Sequence, residues 1–293
     1  MLFILLVFYF FNQLGKLPGK VDPFKVQNTW AFLICIALVP VNWYLEWLKW
    51  IISIIDMPDS LDRSDQFQAF AAGMVTGFFT PSMLGNFIGR LPFFVNVQKV
   101  NVVYLTQYGN FAQFAVTAVF GAIAFCLIDL SQVSDVSRFV GQFTALLIGS
   151  SSLLLFFGFD PVMRRVKWLK KNLFEKVNVK LSLSFRFQLF LLSCLRHAIF
   201  TIQFFLLLIA FGVNIETSTV YYIWSMYLIV TLIPSLFFGK ILIRDSVAWL
   251  IFGSVGLTVH QVFSTTLWIW VLNLLLPAVF FLTMVNVRQK WAE

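Results

Sequence analysis

Charged residues are scarce in this chain. Asp, Glu, Lys and Arg make up 12% of its 293 residues, whereas 60% are hydrophobic, and a soluble domain carries about twice that share of charge. A water-soluble fold of this length cannot hide so much apolar surface, so lipid must be the solvent for much of it. The composition therefore excludes a soluble enzyme and predicts an integral membrane protein.

Cysteine and histidine are also few. The three cysteines lie apart in apolar stretches without C-x-x-C spacing, which argues against a disulfide framework or a zinc site. The two histidines, His197 and His260, are not part of an H-E-x-x-H motif, and the sequence contains no P-loop or nucleophile elbow. We therefore expect no catalytic residues, no metal site and no cofactor, and we expect that the chain is not an enzyme.

Long apolar runs bounded by charge fill most of the chain. They cover about 1–14, 29–54, 67–88, 102–128, 139–159, 186–212, 217–234, 246–258 and 262–286. Because they are apolar around the whole helix, they are typical of membrane spans. The prediction is an all-α polytopic transmembrane helix bundle of about seven to nine spans, a single integral membrane domain over 1–293. The first run lacks a basic n-region, so we expect an uncleaved span rather than a signal peptide.

The net charge of +8 comes from short basic clusters between the apolar runs. This pattern favours positive-inside topology over nucleic-acid binding. Segment 160–186 is the most basic, and its spacing suits an amphipathic helix in the cytoplasmic interface that links two halves of the protein. Specific phospholipid capture by this segment is the alternative. A simple alternation of loop charges places the basic loops and the C-terminus in the cytoplasm and the N-terminus outside, with the acidic connection 56–65 on the outer side.

Two segments interrupt the helical pattern in the same way. Each has Pro-Ser, then a glycine, then a cation: Pro81, Ser82, Gly85, Asn86 and Arg90 in the first, and Pro234, Ser235, Gly239, Lys240, Arg244 and Asp245 in the second. Within lipid, such an opened backbone is tolerated only where protein or water surrounds it. The matched pair indicates a transporter's binding site. For either break alone, an ordinary proline at a span end is the alternative.

A few charged and polar side chains fall inside the predicted spans. Glu46 and Lys49 stand three residues apart, the spacing of a same-face ion pair, and are candidate coupling residues. Glu46 and Asp245 are the candidate proton carriers, and equilibrative scrambling is the alternative to coupled transport. Arg196 lies mid-span, where an uncompensated Arg costs roughly 2.5–3.5 kcal/mol. Its candidate partners are Glu46, a substrate phosphate or backbone carbonyls. A polar stripe predicts either interhelical hydrogen bonds or a hydrophilic substrate path, and it consists of Thr106, Asn110, Gln113 and Thr117.

These features together resemble the flippase-like membrane family related to the transmembrane region of lysylphosphatidylglycerol synthase. The likeness covers about residues 28–285 and lies in three motifs: Glu46-Trp47-Leu48-Lys49-Trp50, Thr80-Pro81 with Gly85 and Gly89-Arg90, and Pro234-Ser235 with Gly239, Arg244 and Asp245. Asn86 departs from the family's usual glutamate. The resemblance implies re-entrant helices around a lipid-accessible cavity, in a bacterial cytoplasmic (inner) membrane. Lipid lysylation is not expected, because the 293 residues include no aminoacyl-transferase domain.

The sequence thus predicts a membrane transporter or flippase-like protein for a lipid with an anionic or zwitterionic head group. The candidates are a phospholipid, an aminoacylated lipid or a polyprenyl-linked precursor. Under this hypothesis Arg90, Arg244 and the backbone amides after Pro81 and Pro234 receive the head group, and Arg196 adds a further charge. The alternative is a non-transporting membrane subunit that presents a lipid substrate to a partner transferase.

Overall fold

The computed structural model describes residues 25–55, 57, 61–80, 83–96, 98–128, 135–159, 177, 179, 181–233 and 237–285, with the backbone alone at 135–136 and 237–241. These residues form helices and no β-strand, which confirms the all-α prediction. The first apolar run and most of segment 160–186 lie outside the described residues. The uncleaved first span and the interfacial helix therefore stay predictions.

The helices follow most of the apolar runs. In chain order they are α1 (Thr29–Ile54), α2 (Arg63–Phe78), α3 (Asn86–Arg90), α4 (Lys99–Leu127), α5 (Asp135–Phe157), α6 (Leu183–Ala210), α7 (Thr219–Leu232), α8 (Phe237–Ser254), α9 (Val259–Trp270) and α10 (Leu276–Met284). A 3₁₀ turn (Leu91–Phe93) follows α3. A π-helical turn (Val271–Leu275) joins α9 to α10, so these two form one continuous helix.

Within the described ranges, five helices are long and apolar enough to cross a membrane: α1, α4, α5, α6 and the continuous α9–α10, with mean hydropathy from 1.7 to 2.1 over 18 residues. At a rise of about 1.5 Å per residue, each matches or exceeds a hydrocarbon core of roughly 30 Å. This is consistent with an integral membrane protein. The number is below seven to nine because runs 67–88 and 217–234 form helices of 16 and 14 residues. In addition, the helix with most of run 246–258 carries Lys240, Arg244 and Asp245, and the run 1–14 is not described.

By its internal contacts the chain divides into two compact units. The first is drawn from Met1–Asn42, Thr117–Gly149 and Ala198–Leu275, and the second from Trp43–Val116, Ser150–His197 and Leu276–Glu293. Helices α7, α8 and α9 thus lie in the first unit, and α2, α3 and α10 lie in the second. A single domain over 1–293 stays a prediction.

In the second unit, the chain between α1 and α4 turns back on itself at the first predicted interruption. The hydroxyl of Thr80 donates to the carbonyl of Gly77 at 3.0 Å and accepts from the amide of Gly85 at 2.8 Å. Met83 adopts a positive φ of 59° within this turn. The helical break predicted around Pro81 is confirmed, although Pro81 and Ser82 themselves lie outside the described residues.

After the turn, α3 packs directly against α2, and the two form a helical hairpin. A Cβ atom on Gly89 would clash with the backbone carbonyl of Ala72, so only glycine permits this approach. The amide of Gly89 donates to the hydroxyl of Thr76 at 3.1 Å, which joins the two helices by a hydrogen bond. The name "the hairpin" is used below for residues 63–90.

Both ends of the hairpin lie beside the C-terminal end of α1. The indole nitrogen of Trp50 donates to the carbonyl of Gln66, in the first turn of α2, at 3.1 Å. The same indole packs edge-on against Phe94, which follows α3, with ring centroids 6.0 Å apart. The simple alternation of loop charges, which put the connections before and after this segment on opposite sides, is therefore wrong. The chain turns back instead of crossing.

The second predicted interruption lies in the first unit. Helix α7 ends at Leu232, and Ile233 is extended with φ −90° and ψ 107°, as expected for a residue that precedes proline. Helix α8 begins at Phe237, so this break is also confirmed. Pro234 and Ser235 lie outside the described residues. At Gly239 and Lys240 on α8, only the backbone is described.

Arg186, the last residue of the segment predicted to lie in the cytoplasmic interface, is buried in the second unit instead. Its guanidinium donates to the carbonyls of Leu181 and Phe157. The guanidinium carbon also lies 6.0 Å from the ring centroid of Tyr108. Arg186 therefore satisfies backbone carbonyls next to the start of α6.

Candidate functional site

Four ionisable side chains come together inside the second unit. Helix α1 supplies Glu46 and Lys49, α3 supplies Arg90 and α6 supplies Arg196. Each is between 3% and 9% exposed, although charged residues are almost never buried unless they are paired. These four residues are called the charge cluster below.

Glu46 holds two of the three cations. The guanidinium of Arg196 donates to Oε2 of Glu46 at 2.7 Å, and Nζ of Lys49 lies 3.6 Å from the same oxygen. Lys49 also donates to the carbonyl of Gly109 on α4 at 3.1 Å. Both pairings proposed from the sequence are confirmed. Glu46 therefore ties α1 to α6, while Lys49 ties α1 to α4.

Arg90 is held by uncharged groups. Its Nη1 donates to the hydroxyl of Thr106 on α4 at 3.0 Å, and its guanidinium carbon lies 4.2 Å from the ring centroid of Trp50, a cation–π distance. Its Nε is buried without a hydrogen-bond partner among the described residues. That atom lies against Gly73, where a Cβ would displace it. In the described ranges no carboxylate lies within ion-pair distance of Arg90.

The charge cluster has a surplus of positive charge. Three cations (Lys49, Arg90 and Arg196) against one carboxylate (Glu46) leave a net formal charge of +2. A buried charge without compensation is expensive in a low-dielectric interior. The cluster therefore attracts an anion electrostatically.

A small cavity opens onto the charge cluster. It is lined by Glu46, Lys49, Trp50, Ser53, Arg90, Leu105, Thr106, Gly109 and Asn110. The space available to the centre of a water molecule is about 10 Å³, which is room for a single water. In this conformation, an anion larger than water does not fit.

Hydrogen bonds join the hairpin to α4 beside this cavity. The side-chain amides of Asn86 and Asn110 face each other, with nitrogen–oxygen distances of 3.3 and 3.4 Å in the two directions. Gln107 donates to the carbonyl of Leu84 at 2.6 Å. With Thr106 bound to Arg90, the polar stripe of α4 forms interhelical hydrogen bonds at Thr106 and Asn110, one of its two predicted roles.

The backbone amides that follow Pro81 are used inside the hairpin. Those of Met83 and Gly85 donate to the carbonyl and the hydroxyl of Thr80, and that of Ile88 donates to the carbonyl of Gly85 at 3.0 Å. In this conformation these described amides are occupied by hydrogen bonds within the hairpin, and their role in receiving a head group stays a prediction. Arg90, not the backbone, provides the unneutralised charge of this segment.

Arg244 and Asp245 form a pair of their own in the first unit. Nε and Nη2 of Arg244 donate to the same carboxylate oxygen of Asp245 at 3.1 and 2.8 Å, and both side chains are buried. The pair is electrically neutral. Arg244 is therefore a weaker candidate for anion binding than Arg90.

Trp50 is the site residue whose role the sequence did not reveal. A tryptophan near the end of a span usually anchors at the membrane interface. Trp50 is instead buried at 2% exposure, under the guanidinium of Arg90. The available signal was its position one turn after Glu46 on α1, which places both on one helix face.

In the part of the chain that the structure describes, no three side chains from His, Cys, Asp and Glu come together as ligands for a metal ion. No family model, no curated protein and no solved structure matches the chain. The geometry of the charge cluster is therefore the basis for a functional assignment.

Proposed function

We propose that this chain is a membrane transporter of the flippase-like kind, which handles a lipid with an anionic or zwitterionic head group. The observation that carries the proposal is the net charge of +2 buried between α1, α4, α6 and the hairpin. Five described helices are apolar and long enough to cross a membrane, which is consistent with a protein embedded in lipid. In that context, a lipid head group is an abundant anion.

Arg90 is the natural contact for the head group. Glu46 already neutralises one of the other cations, whereas the partners of Arg90 are a neutral hydroxyl and an aromatic face. An arginine guanidinium can present two parallel donors to one phosphate, which gives both strength and orientation. Lys49 and Arg196 add a positive field from the neighbouring helices.

Head-group entry requires the hairpin to move, because the present cavity holds only one water. The hydrogen bonds to α4 that must open are the bond from Arg90 to Thr106, the amide pair of Asn86 with Asn110 and the bond from Gln107 to Leu84. Such hydrogen bonds contribute about 0.5–1.5 kcal/mol each, or up to about 3 where one group is charged. Movement of the hairpin is thus energetically accessible when an anion replaces these partners.

Leaflet exchange in reconstituted vesicles tests the proposal. Vesicles of phosphatidylcholine with fluorescent phosphatidylglycerol are assayed by quenching of the outer-leaflet probe. Wild-type protein should accelerate exchange, and Arg90→Gln should slow it at least about tenfold, which corresponds to ~1.4 kcal/mol. The matched control is Arg63→Gln, because Arg63 is an exposed cation at the start of the same hairpin.

Two outcomes would contradict the transporter. Either wild-type protein does not accelerate exchange, or Arg90→Gln exchanges lipid as fast as Arg63→Gln. If the protein retains phosphatidylglycerol through purification in an Arg90-dependent manner but never accelerates exchange, it is the subunit that presents a lipid to a partner transferase. Copurification of a stoichiometric transferase would support that second reading.

A further inference from the structure

An apolar groove adjoins the hairpin within the second unit. It has a volume of about 100 Å³ and is lined by Ala72, Val75, Thr76, Gly89, Phe93, Leu282 and Val285. Its walls thus come from the hairpin, from the turn after α3, and from the end of α10. The hydrogen bonds and ion pairs described above for the charge cluster do not involve any residue that lines this groove.

The groove offers no polar group to a ligand. Thr76 is its one polar side chain, and the hydroxyl of Thr76 donates to the carbonyl of Ala72 at 3.1 Å and accepts from the amide of Gly89 at 3.1 Å. A cavity with such walls stays dry and accepts apolar molecules. Hydrocarbon is therefore the chemistry that the groove fits.

The groove and the charge cluster meet at consecutive residues of α3. Gly89 lines the groove, and Arg90 lines the cavity of the charge cluster. Their α-carbons are about 3.8 Å apart across a trans peptide. One molecule with an anionic end and an apolar end can therefore reach both.

The dimensions limit what the groove holds. Its volume is about two thirds of the ~150 Å³ of an engineered cavity that binds benzene, so it holds a short stretch of one hydrocarbon chain. Leu282, on its wall, is 62% exposed. The rest of a longer chain can therefore leave the groove past α10 into surrounding lipid.

We propose that this groove binds the part of a lipid's hydrocarbon chain nearest the head group, while the charge cluster binds the anionic head. This inference rests on the proposed function and deepens it. It makes the hairpin a single element that contacts both ends of the lipid, through Gly89 and Arg90. Movement of the hairpin then displaces head and chain together.

Photo-crosslinking tests the groove. The protein is reconstituted with phosphatidylglycerol that carries a diazirine on the acyl carbons near the glycerol, irradiated, and mapped by peptide mass spectrometry. Labels should concentrate on the stretches around Val75 and Leu282. Val75→Phe and Leu282→Trp, which fill the groove, should each reduce that labelling at least about tenfold, the effect of ~1.4 kcal/mol.

The matched control is Val279→Trp, an exposed residue of α10 that does not line the groove; it should leave the labelling unchanged. The inference is overturned if groove peptides are labelled no more than the peptide around Phe139, which is 68% exposed on α5. It is also overturned if labelling appears only after residues 286–293 are deleted, since the chain's own C-terminal segment would then be the occupant.

Failure of this inference is distinguishable from failure of the proposed function. Suppose that Arg90→Gln slows exchange, while both groove-filling variants are labelled and exchange lipid as the wild type does. The groove is then not a site for a hydrocarbon chain, and the transporter proposal stands. If the groove-filling variants abolish labelling but Arg90→Gln changes neither labelling nor exchange, the groove binds a lipid chain without a head-group role for the charge cluster. The proposed function then fails.

Discussion

Glu46 is the side chain on which the charge cluster depends most. It is the carboxylate that contacts both Arg196 and Lys49, and removal of one partner from a buried ion pair costs about 3–5 kcal/mol. Spacing predicted the pair of Glu46 with Lys49. Because an unpaired Arg196 in a span would be costly, the sequence also offered Glu46 as one of three candidate partners for Arg196. The stacking of Arg90 on Trp50 was not predictable, since it depends on where the hairpin places α3.

We expect Glu46→Gln to destabilise the protein in neutral detergent and to make it more responsive to anionic lipid. The substitution raises the charge cluster from +2 to +3, so added phosphatidylglycerol should raise the Tm of the variant more than that of the wild type. Thermal unfolding with and without the lipid measures both effects. Glu216→Gln is the control, because Glu216 is exposed and a surface change of this kind stays within about 0.5 kcal/mol.

A loss of stability in Glu46→Gln that phosphatidylglycerol repairs no better than phosphatidylcholine would contradict this expectation. It would mean that the cluster is only structural.

At the scale of elements, the hairpin depends on glycines that let α3 approach α2. Gly89 lies against the backbone of Ala72, and Gly73 lies against the guanidinium of Arg90. The Pro-Ser pairs followed by a glycine predicted the breaks near residues 81 and 234, whereas Pro40 and Pro277 lie within helices without ending them. The return of α3 along α2 was not predictable from residue periodicity, because a helix of five residues carries none; the family resemblance alone implied re-entrant helices.

Gly89→Ala should therefore displace α3 and weaken the hairpin. The added methyl meets the carbonyl of Ala72, and overpacking of this kind costs typically 1–3 kcal/mol. We expect a lower Tm and slower lipid exchange, because Arg90 moves with α3. Gly141→Ala on α5 is the matched control, since a Cβ there meets nothing within 4 Å; equal effects of the two substitutions would refute the packing argument.

At the scale of the whole molecule, apolar length predicted the spanning helices but not the path between α1 and α4. A span can be recognised by its apolar length alone. The predicted apolar runs of sufficient length form α1, α4, α5, α6 and α9–α10. Run 67–88 has similar apolar length but is divided by the turn at Thr80. The acidic and basic connections on its two sides lie beside the same end of α1, so their opposite charges do not report opposite sides.

Cysteine labelling should place Ser64 and Asn96 on one side of the membrane. Both are exposed, one at the start of α2 and the other after α3. In a background in which Cys35, Cys126 and Cys194 are replaced, an impermeant maleimide should label Ser64→Cys and Asn96→Cys from the same side. Thr29→Cys, at the other end of α1, should react from the opposite side; labelling of Ser64→Cys and Asn96→Cys from different sides would restore the simple alternation.

The surplus charge of the cluster also links the folded state to the composition of its bilayer. A ligand that binds only the folded protein stabilises it by about 2.7 kcal/mol when present at a hundred times its Kd. If the charge cluster binds an anionic head group as proposed, the fold gains this free energy where anionic lipid is plentiful and does not gain it in a bilayer without anionic lipid. The abundance of this protein in a cell would then follow the amount of anionic lipid in its membrane, because less stable membrane proteins are removed faster.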